Sequence, residues 1–106
     1  PAHLAAANVP DDTPIATTEG LREFSRAILG NEPELDITLA ERDNIEAAHQ
    51  LARQPDVGAI ILECTNMAPY AAAISAATGL PVFSAYNFIC WFQSGLMPAP
   101  FTGEIK

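Results

Sequence analysis

Val57-Gly58-Ala59-Ile60-Ile61-Leu62-Glu63-Cys64-Thr65-Asn66 is the stretch that decides how the rest of the chain is read. The unbroken apolar run from Ala59 to Leu62 predicts a strand buried on both faces, because alternation disappears when helices cover both sides of a parallel sheet. Cys64 stands at the strand's end. Thr65 and Asn66 follow as a tight turn, and Pro69 suits the first turn of a helix, where its missing N–H would have had no partner. Strand, turn and helix in this order bring Cys64 to a point where free backbone N–H groups and the positive end of a helix dipole converge. Such a point favours a thiolate and a carboxylate docked beside it. Open α/β sheets also bind their ligands in crevices at the carboxyl ends of parallel strands. The competing reading is packing alone, since free cysteine is among the most buried residue types.

Upstream of this stretch, Asp36 can cap a helix that runs to about Arg53, with Ile37, Ala40, Ile45, Ala48, Leu51 and Ala52 as its inner stripe. Glu41, Arg42, Asp43, Glu46 and Arg53 then point largely to water. His49 borders the stripe and reads as a half-exposed helix histidine. Before that helix, Thr18 can cap another carrying Leu21, Phe24 and Ile28 on one face, with Gly30 as a left-handed stop. Ile15-Ala16-Thr17 is a short strand candidate, preceded by turn chemistry from Val9 to Pro14. The opening Pro1-Ala2-His3-Leu4 begins a short helix with no initiator Met and no strand before it, which suggests that something upstream is missing.

Downstream, an Ala-rich helix from Pro69 closes at Gly79, and Leu80-Pro81-Val82-Phe83-Ser84 reads as a strand with proline near its start. Tyr86 to Leu96 forms a last helix, apolar over much more than one face through Phe88, Ile89, Cys90, Trp91, Phe92 and Leu96. A helix of that kind needs cover on several sides, which argues for a missing domain or a second subunit. The order of helices and strands predicts an α/β fold with a parallel sheet, three strands wide and therefore partial.

With 106 residues the chain is at most one ordinary domain. Thirteen acidic against five basic residues give a net charge of −8, the wrong sign for nucleic acid or an anionic membrane surface. No apolar run approaches the roughly 20 residues that span a bilayer, and no signal peptide opens the chain, so a cytoplasmic location is expected. Cys64 and Cys90, without a CxxC pair, resemble neither a disulfide scaffold nor a zinc site, so no metal is expected.

Asp56 to Tyr70, continuing through Ala71 to Ile74 and from Thr78 to Phe83, resembles the second half of the aspartate/glutamate/hydantoin racemase superfamily. The similarity extends over nearly all of the chain and is strongest from Asp56 to Leu96. It implies a partial parallel three-layer α/β sheet, one incomplete half of a pseudo-symmetric two-domain fold, with residues 1–106 forming a single incomplete domain from the C-terminal part of a larger protein. It also implies a cofactor-independent amino-acid racemase or epimerase, an isomerase of cytoplasmic amino-acid metabolism. Cys64 matches the cysteine of the second half, one of two thiol acid/bases at the substrate α-carbon. Thr65 matches the threonine that helps hold the substrate carboxylate, and Asn66 stands where the better-known glutamate racemases carry histidine. Glu63 occupies a place that is commonly glycine, and the first-half cysteine motif has no counterpart here, so the chain by itself is expected to be inactive. Cys90, inside an apolar helix pattern, reads as packing.

Two thiols flanking one carbon suit racemisation without a cofactor, because the proton must leave one face and return on the other. The expected partners are a small carboxylate or amino-acid substrate, and either a second copy of the chain or a missing N-terminal domain. Two other readings stay open: a single-cysteine decarboxylase or cis–trans isomerase of the same superfamily, and a binding or assembly module in which the cysteine is idle.

Overall fold

The computed structural model describes residues 2–20 and 23–103. In chain order these form α1 (Ala2–Ala6), α2 (Phe24–Leu29), α3 (Ile37–Ala52), β1 (Ile60–Ile61), a 3-10 helix (Thr65–Tyr70), α4 (Ala71–Thr78), β2 (Val82–Phe83) and α5 (Ala85–Leu96). Helix makes up 53% against 4% strand, so the molecule is mainly helical around one parallel pair of short strands.

Two local causes set the long helix α3. Asp36 has extended backbone and accepts the Leu39 N–H at 3.0 Å, satisfying one of the donors that every helix start leaves over. The inward face then runs through Ala40, Asp43, Asn44, Ala47 and Ala48, all buried. Small residues there let α2, α4 and the strand pair approach closely. Phe24, Ala40, Ala48, Ile60, Leu62, Tyr70 and Ile74 make the core, which lies on one side of the strands. Burying Ile74 alone stabilises the fold by about 2–3 kcal/mol. Phe24 and Tyr70 meet edge to face at 6.0 Å and so tie α2 to the 3-10 helix.

β1 and β2 pair in register Ile60 to Val82 and Ile61 to Phe83. Helix α4 connects them and ends at Gly79, whose φ of +73° is a left-handed conformation suited to glycine.

The expected three-layer sheet is corrected on three points. Ile15-Ala16-Thr17 is not a strand, so the sheet has two strands and not three. The strand pair is covered on one face only. Ile60 and Leu62 point into the core, while Ile61 between them is 78% exposed and Phe83 beside it is also bare, as the two-residue period of a strand requires. The apolar run reads as doubly buried because all its members are hydrophobic, yet the second helical layer does not exist among the described residues. The result is a two-layer arrangement and not half of a racemase-like sandwich.

Smaller corrections follow the same logic. Helix α2 has six residues and is not capped by Thr18. Its first N–H groups, on Glu23 and Phe24, are instead taken by Asp43 Oδ2 of α3 at 2.7 and 3.0 Å. Asp43, expected in water, is therefore 1% exposed. Thr18 is buried and accepts the Ser25 hydroxyl through its carbonyl and its side chain. Gly30 is right-handed and Asn31, at φ +51°, makes the left-handed turn. Leu21, expected on the inner face of this helix, lies outside the described residues.

Helix α5 is the exception to compactness. Ser84 opens it, its N–H donating to Asn87 Oδ1 at 3.0 Å. From there every residue from Tyr86 to Leu96 is exposed, with Trp91 at 70%. The radius of gyration, 16.5 Å, exceeds the roughly 13 Å of a compact chain this long. Nothing among the described residues covers this helix, and from Cys64 to Gly103 the chain contains no Asp, Glu, Lys or Arg.

Burial of the Tyr70 ring raises its phenol above the usual value near 10, and the charge of Glu41 adds to the shift. The folded state then holds the phenolic proton to higher pH than the unfolded chain does. This contribution to stability is complete below pH ~10 and is lost as pH rises through the folded-state value. Thermal unfolding followed from pH 8 to 11 is expected to show a steeper alkaline decline for the parent chain than for Tyr70→Phe.

Candidate functional site

The strand-to-helix junction at Cys64 is built from the core outward. Leu62 is buried, Glu63 points to the opposite side and is exposed, and Cys64 returns toward the core, half-buried against it beside Met67. Cys64 has extended backbone, φ −84° and ψ 130°, and serves as the N-cap of the 3-10 helix, its carbonyl accepting the Met67 N–H at 3.0 Å. The N–H groups of Thr65 and Asn66 make no hydrogen bond to the described residues, and both side chains are exposed. Cys64, Thr65 and Asn66 thus form one accessible corner: a thiol, two free main-chain donors, a hydroxyl and a carboxamide.

The helix after Cys64 differs from the expectation. Six residues of 3-10 helix intervene before α4, so Pro69 lies near the end of a 3-10 segment and not in the first turn of an α-helix. Bond directions in a 3-10 helix are less well aligned than in an α-helix. The corner therefore depends on its individual N–H groups more than on a long helix dipole.

A cavity lies beside this corner and does not include it. A cleft of about 590 Å³ is lined by Glu63 and Met67 on either side of the cysteine, by residues 56–62 along β1, and by Thr13–Thr18 opposite. Asn44 borders it as well and was not singled out from the sequence, where the only signal was a polar residue at an inward position of α3.

Cys90 is exposed on α5, which corrects its reading as a packed side chain. Tyr86 stands one turn earlier, and interaction with the Cys90 sulfur, by hydrogen bonding and then by charge, raises the phenol above its usual value. With Cys64 half-buried and Cys90 exposed, iodoacetamide at neutral pH is expected to modify Cys90 first, as peptide mapping over a time course would show. His3 lines the cleft and His49 is exposed on α3. Among the described residues no three His, Cys, Asp or Glu side chains come together as a metal site, and no helix is long and apolar enough to cross a membrane.

Comparison with known proteins gives two relatives. A dimethylsulfoniopropionate lyase of Durusdinium sp. clade D is 36% identical over 79 residues, 74% of this chain and 26% of that protein. Dimethylsulfoniopropionate lyase 6 of Emiliania huxleyi (strain CCMP1516) is 32% identical over 97 residues, 86% of this chain and 25% of that protein. The chain spans about a quarter of the length of the curated relatives it matches. A match over 86% of 106 residues omits about 15, so wherever it is trimmed it runs through Cys64, Thr65 and Asn66. No family model matches the chain, and no solved structure matches it.

These findings correct the resemblance stated above. Both relatives carry the name of a lyase and neither that of a racemase. The assignment to the racemase superfamily, the isomerase activity and the amino-acid racemisation that followed from it are accordingly withdrawn.

Proposed function

We propose that the chain is part of a lyase that cleaves dimethylsulfoniopropionate. The observation that carries this reading is that both lyases so named match this chain across the Cys64 corner. The substrate's name fixes the chemistry a lyase has to perform. A base removes a proton from the carbon next to the carboxylate, the electron pair becomes a carbon–carbon double bond, and the bond to the positively charged sulfur breaks. Dimethyl sulfide and acrylate leave, the proton stays on the base, and no water or oxidant is consumed.

The groups at the corner suit the demands of that step. The Cys64 thiolate serves as the base, a role in which a positioned side chain contributes about 10²- to 10⁴-fold. The free N–H groups of Thr65 and Asn66 and the Thr65 hydroxyl hold the carboxylate, with the Asn66 carboxamide beside them. Donors placed there also stabilise the charge that builds on the carboxylate as the neighbouring proton leaves. The sulfonium is a good leaving group and departs neutral, so it needs no acid.

The test is headspace detection of dimethyl sulfide, with acrylate measured in parallel, from the protein expressed in its full reading frame and from residues 1–106 alone. Equimolar dimethyl sulfide and acrylate from the full reading frame supports the proposal. Unchanged dimethylsulfoniopropionate there, in a protein that is folded by circular dichroism, would defeat it.

A further inference from the structure

Strand β1 offers an edge that nothing occupies. The Ile60 N–H donates to the Pro81 carbonyl at 2.9 Å and the Leu62 N–H to the Phe83 carbonyl at 2.8 Å, so these residues face β2. Because a strand's main-chain groups alternate, the N–H and C=O of Ala59, Ile61 and Glu63 point to the other edge. None of them is hydrogen-bonded among the described residues. The 590 Å³ cleft lies along this edge, being lined by residues 56–63 and by none of Pro81 to Ser84.

The far wall is Pro14 to Thr17, whose main-chain groups also make no hydrogen bond among the described residues. It is tethered at both ends. Thr13 Oγ1 donates to the Pro10 carbonyl at 2.6 Å, and Ser25 Oγ donates to the Thr18 carbonyl at 2.6 Å. The cleft is thus a gap between two stretches of unpaired backbone.

Its floor and ends are selective. Asn44 is 3% exposed and borders the cleft; its Nδ2 donates to the Ala40 carbonyl at 2.9 Å, while its Oδ1 accepts nothing among the described residues. Ala47, Ala48 and Leu51 make the floor beside it apolar. Asp56 stands before β1 and Glu63 after it, with no Lys or Arg among the lining residues, so the site favours positive charge. Strand rise, strand spacing and sheet separation give about 160 Å³ per residue, and the cleft therefore holds roughly four residues of added strand.

We propose that this cleft binds an extended peptide segment, apolar in the middle and basic at its ends, which adds as a strand to the free edge of β1. Main-chain pairing with Ala59, Ile61 and Glu63 supplies the affinity, and Asp56 and Glu63 select the flanking cations. This is recognition by strand addition, where backbone bonds hold the ligand and alternate side chains specify it. It is independent of the lyase reading, since Cys64 lies outside the cleft.

The probe is acetyl-Lys-Val-Ile-Val-Lys-amide, followed by amide hydrogen exchange of the protein. Saturating peptide is expected to slow exchange at Ile61 at least tenfold and to leave α5 unchanged. A version with glutamate in place of both lysines, and one N-methylated at the amides facing β1, should each bind at least tenfold more weakly. The combined Asp56→Asn and Glu63→Gln variant should lose the preference for lysine over glutamate while retaining sensitivity to N-methylation. Three results overturn the proposal. One is no slowing at millimolar peptide. Another is binding indifferent to N-methylation, which would mark general attraction to a chain of net charge −8. The last is an Ile61 amide already protected without peptide, which would mean that the protein's own backbone closes the gap.

Discussion

Replacing Cys64 with alanine is expected to lower dimethyl sulfide release by about 10²- to 10⁴-fold while leaving the fold and the affinity for substrate nearly unchanged. Cys64 touches the core with only part of its surface, so its loss removes little packing. In the proposed reading the carboxylate is held by the main-chain N–H groups of Thr65 and Asn66, which the substitution does not touch. The effect should therefore appear in kcat and hardly in KM, the signature of an interaction made only as the proton moves. Cys64→Ser keeps the shape and replaces a thiolate with a far weaker base, and it should be nearly as impaired. Thr65→Ala should divide differently, raising KM several-fold because the donor it removes also binds the ground state. Rates measured in the full reading frame decide the matter. A Cys64→Ala protein with parental kcat would move the base elsewhere and leave the corner a packing feature.

Asp43→Ala should damage the fold severely. The carboxyl oxygen Oδ2 accepts two N–H groups at the start of α2, from a residue 1% exposed in the middle of α3. Alanine there leaves both donors without a partner in a site that water hardly reaches, at a cost of about 2–4 kcal/mol in total. Small domains are stable by only about 5–15 kcal/mol, so a large part of the total is at stake. The midpoint of thermal unfolding should drop by about 10–25 °C. Asn, which keeps an acceptor oxygen, should recover roughly half. The neighbouring Arg42 contributes little, since its guanidinium is about half exposed and 3.8 Å from Oδ1. Urea unfolding of the three proteins measures this, and equal midpoints for Asp43→Ala and the parent would show that α2 is held by its apolar side chains alone.

Asp43 also marks where sequence reading stops. A charged residue on a helix reads as solvated, and its hidden partners, the first N–H groups of a helix twenty residues earlier, leave no trace in spacing. Local signals were legible. The Asp36 cap, the stop at Gly79 and the turn after Cys64 each depend on a few adjacent residues. Non-local ones were not. Ile15 to Thr17 has the composition of a strand, but a strand exists only where another pairs with it, and the edge of β1 stays open across the cleft. Burial of Ile61 depended likewise on a layer that is not present among the described residues. The corner of Cys64, Thr65 and Asn66 could be picked out by its position after an apolar run. Its six residues of 3-10 helix could not, because a 3-10 turn and an α turn share residue preferences.

The uncharged run from Cys64 to Gly103 divides the chain electrically. Every described carboxylate and guanidinium belongs to residues 2–63, while the described residues from Tyr86 to Gly103 present aromatic, aliphatic and uncharged polar groups. One end is hydrated at any pH above the acid range, and the other is oily at every pH. A chain so divided has the charge pattern of a surfactant. Its behaviour at an air–water surface, or above a threshold concentration, follows the balance between head repulsion and tail attraction. Salt weakens the first by screening. Sulfate strengthens the second, and cooling weakens it. Low ionic strength and low temperature are therefore the conditions under which single molecules persist.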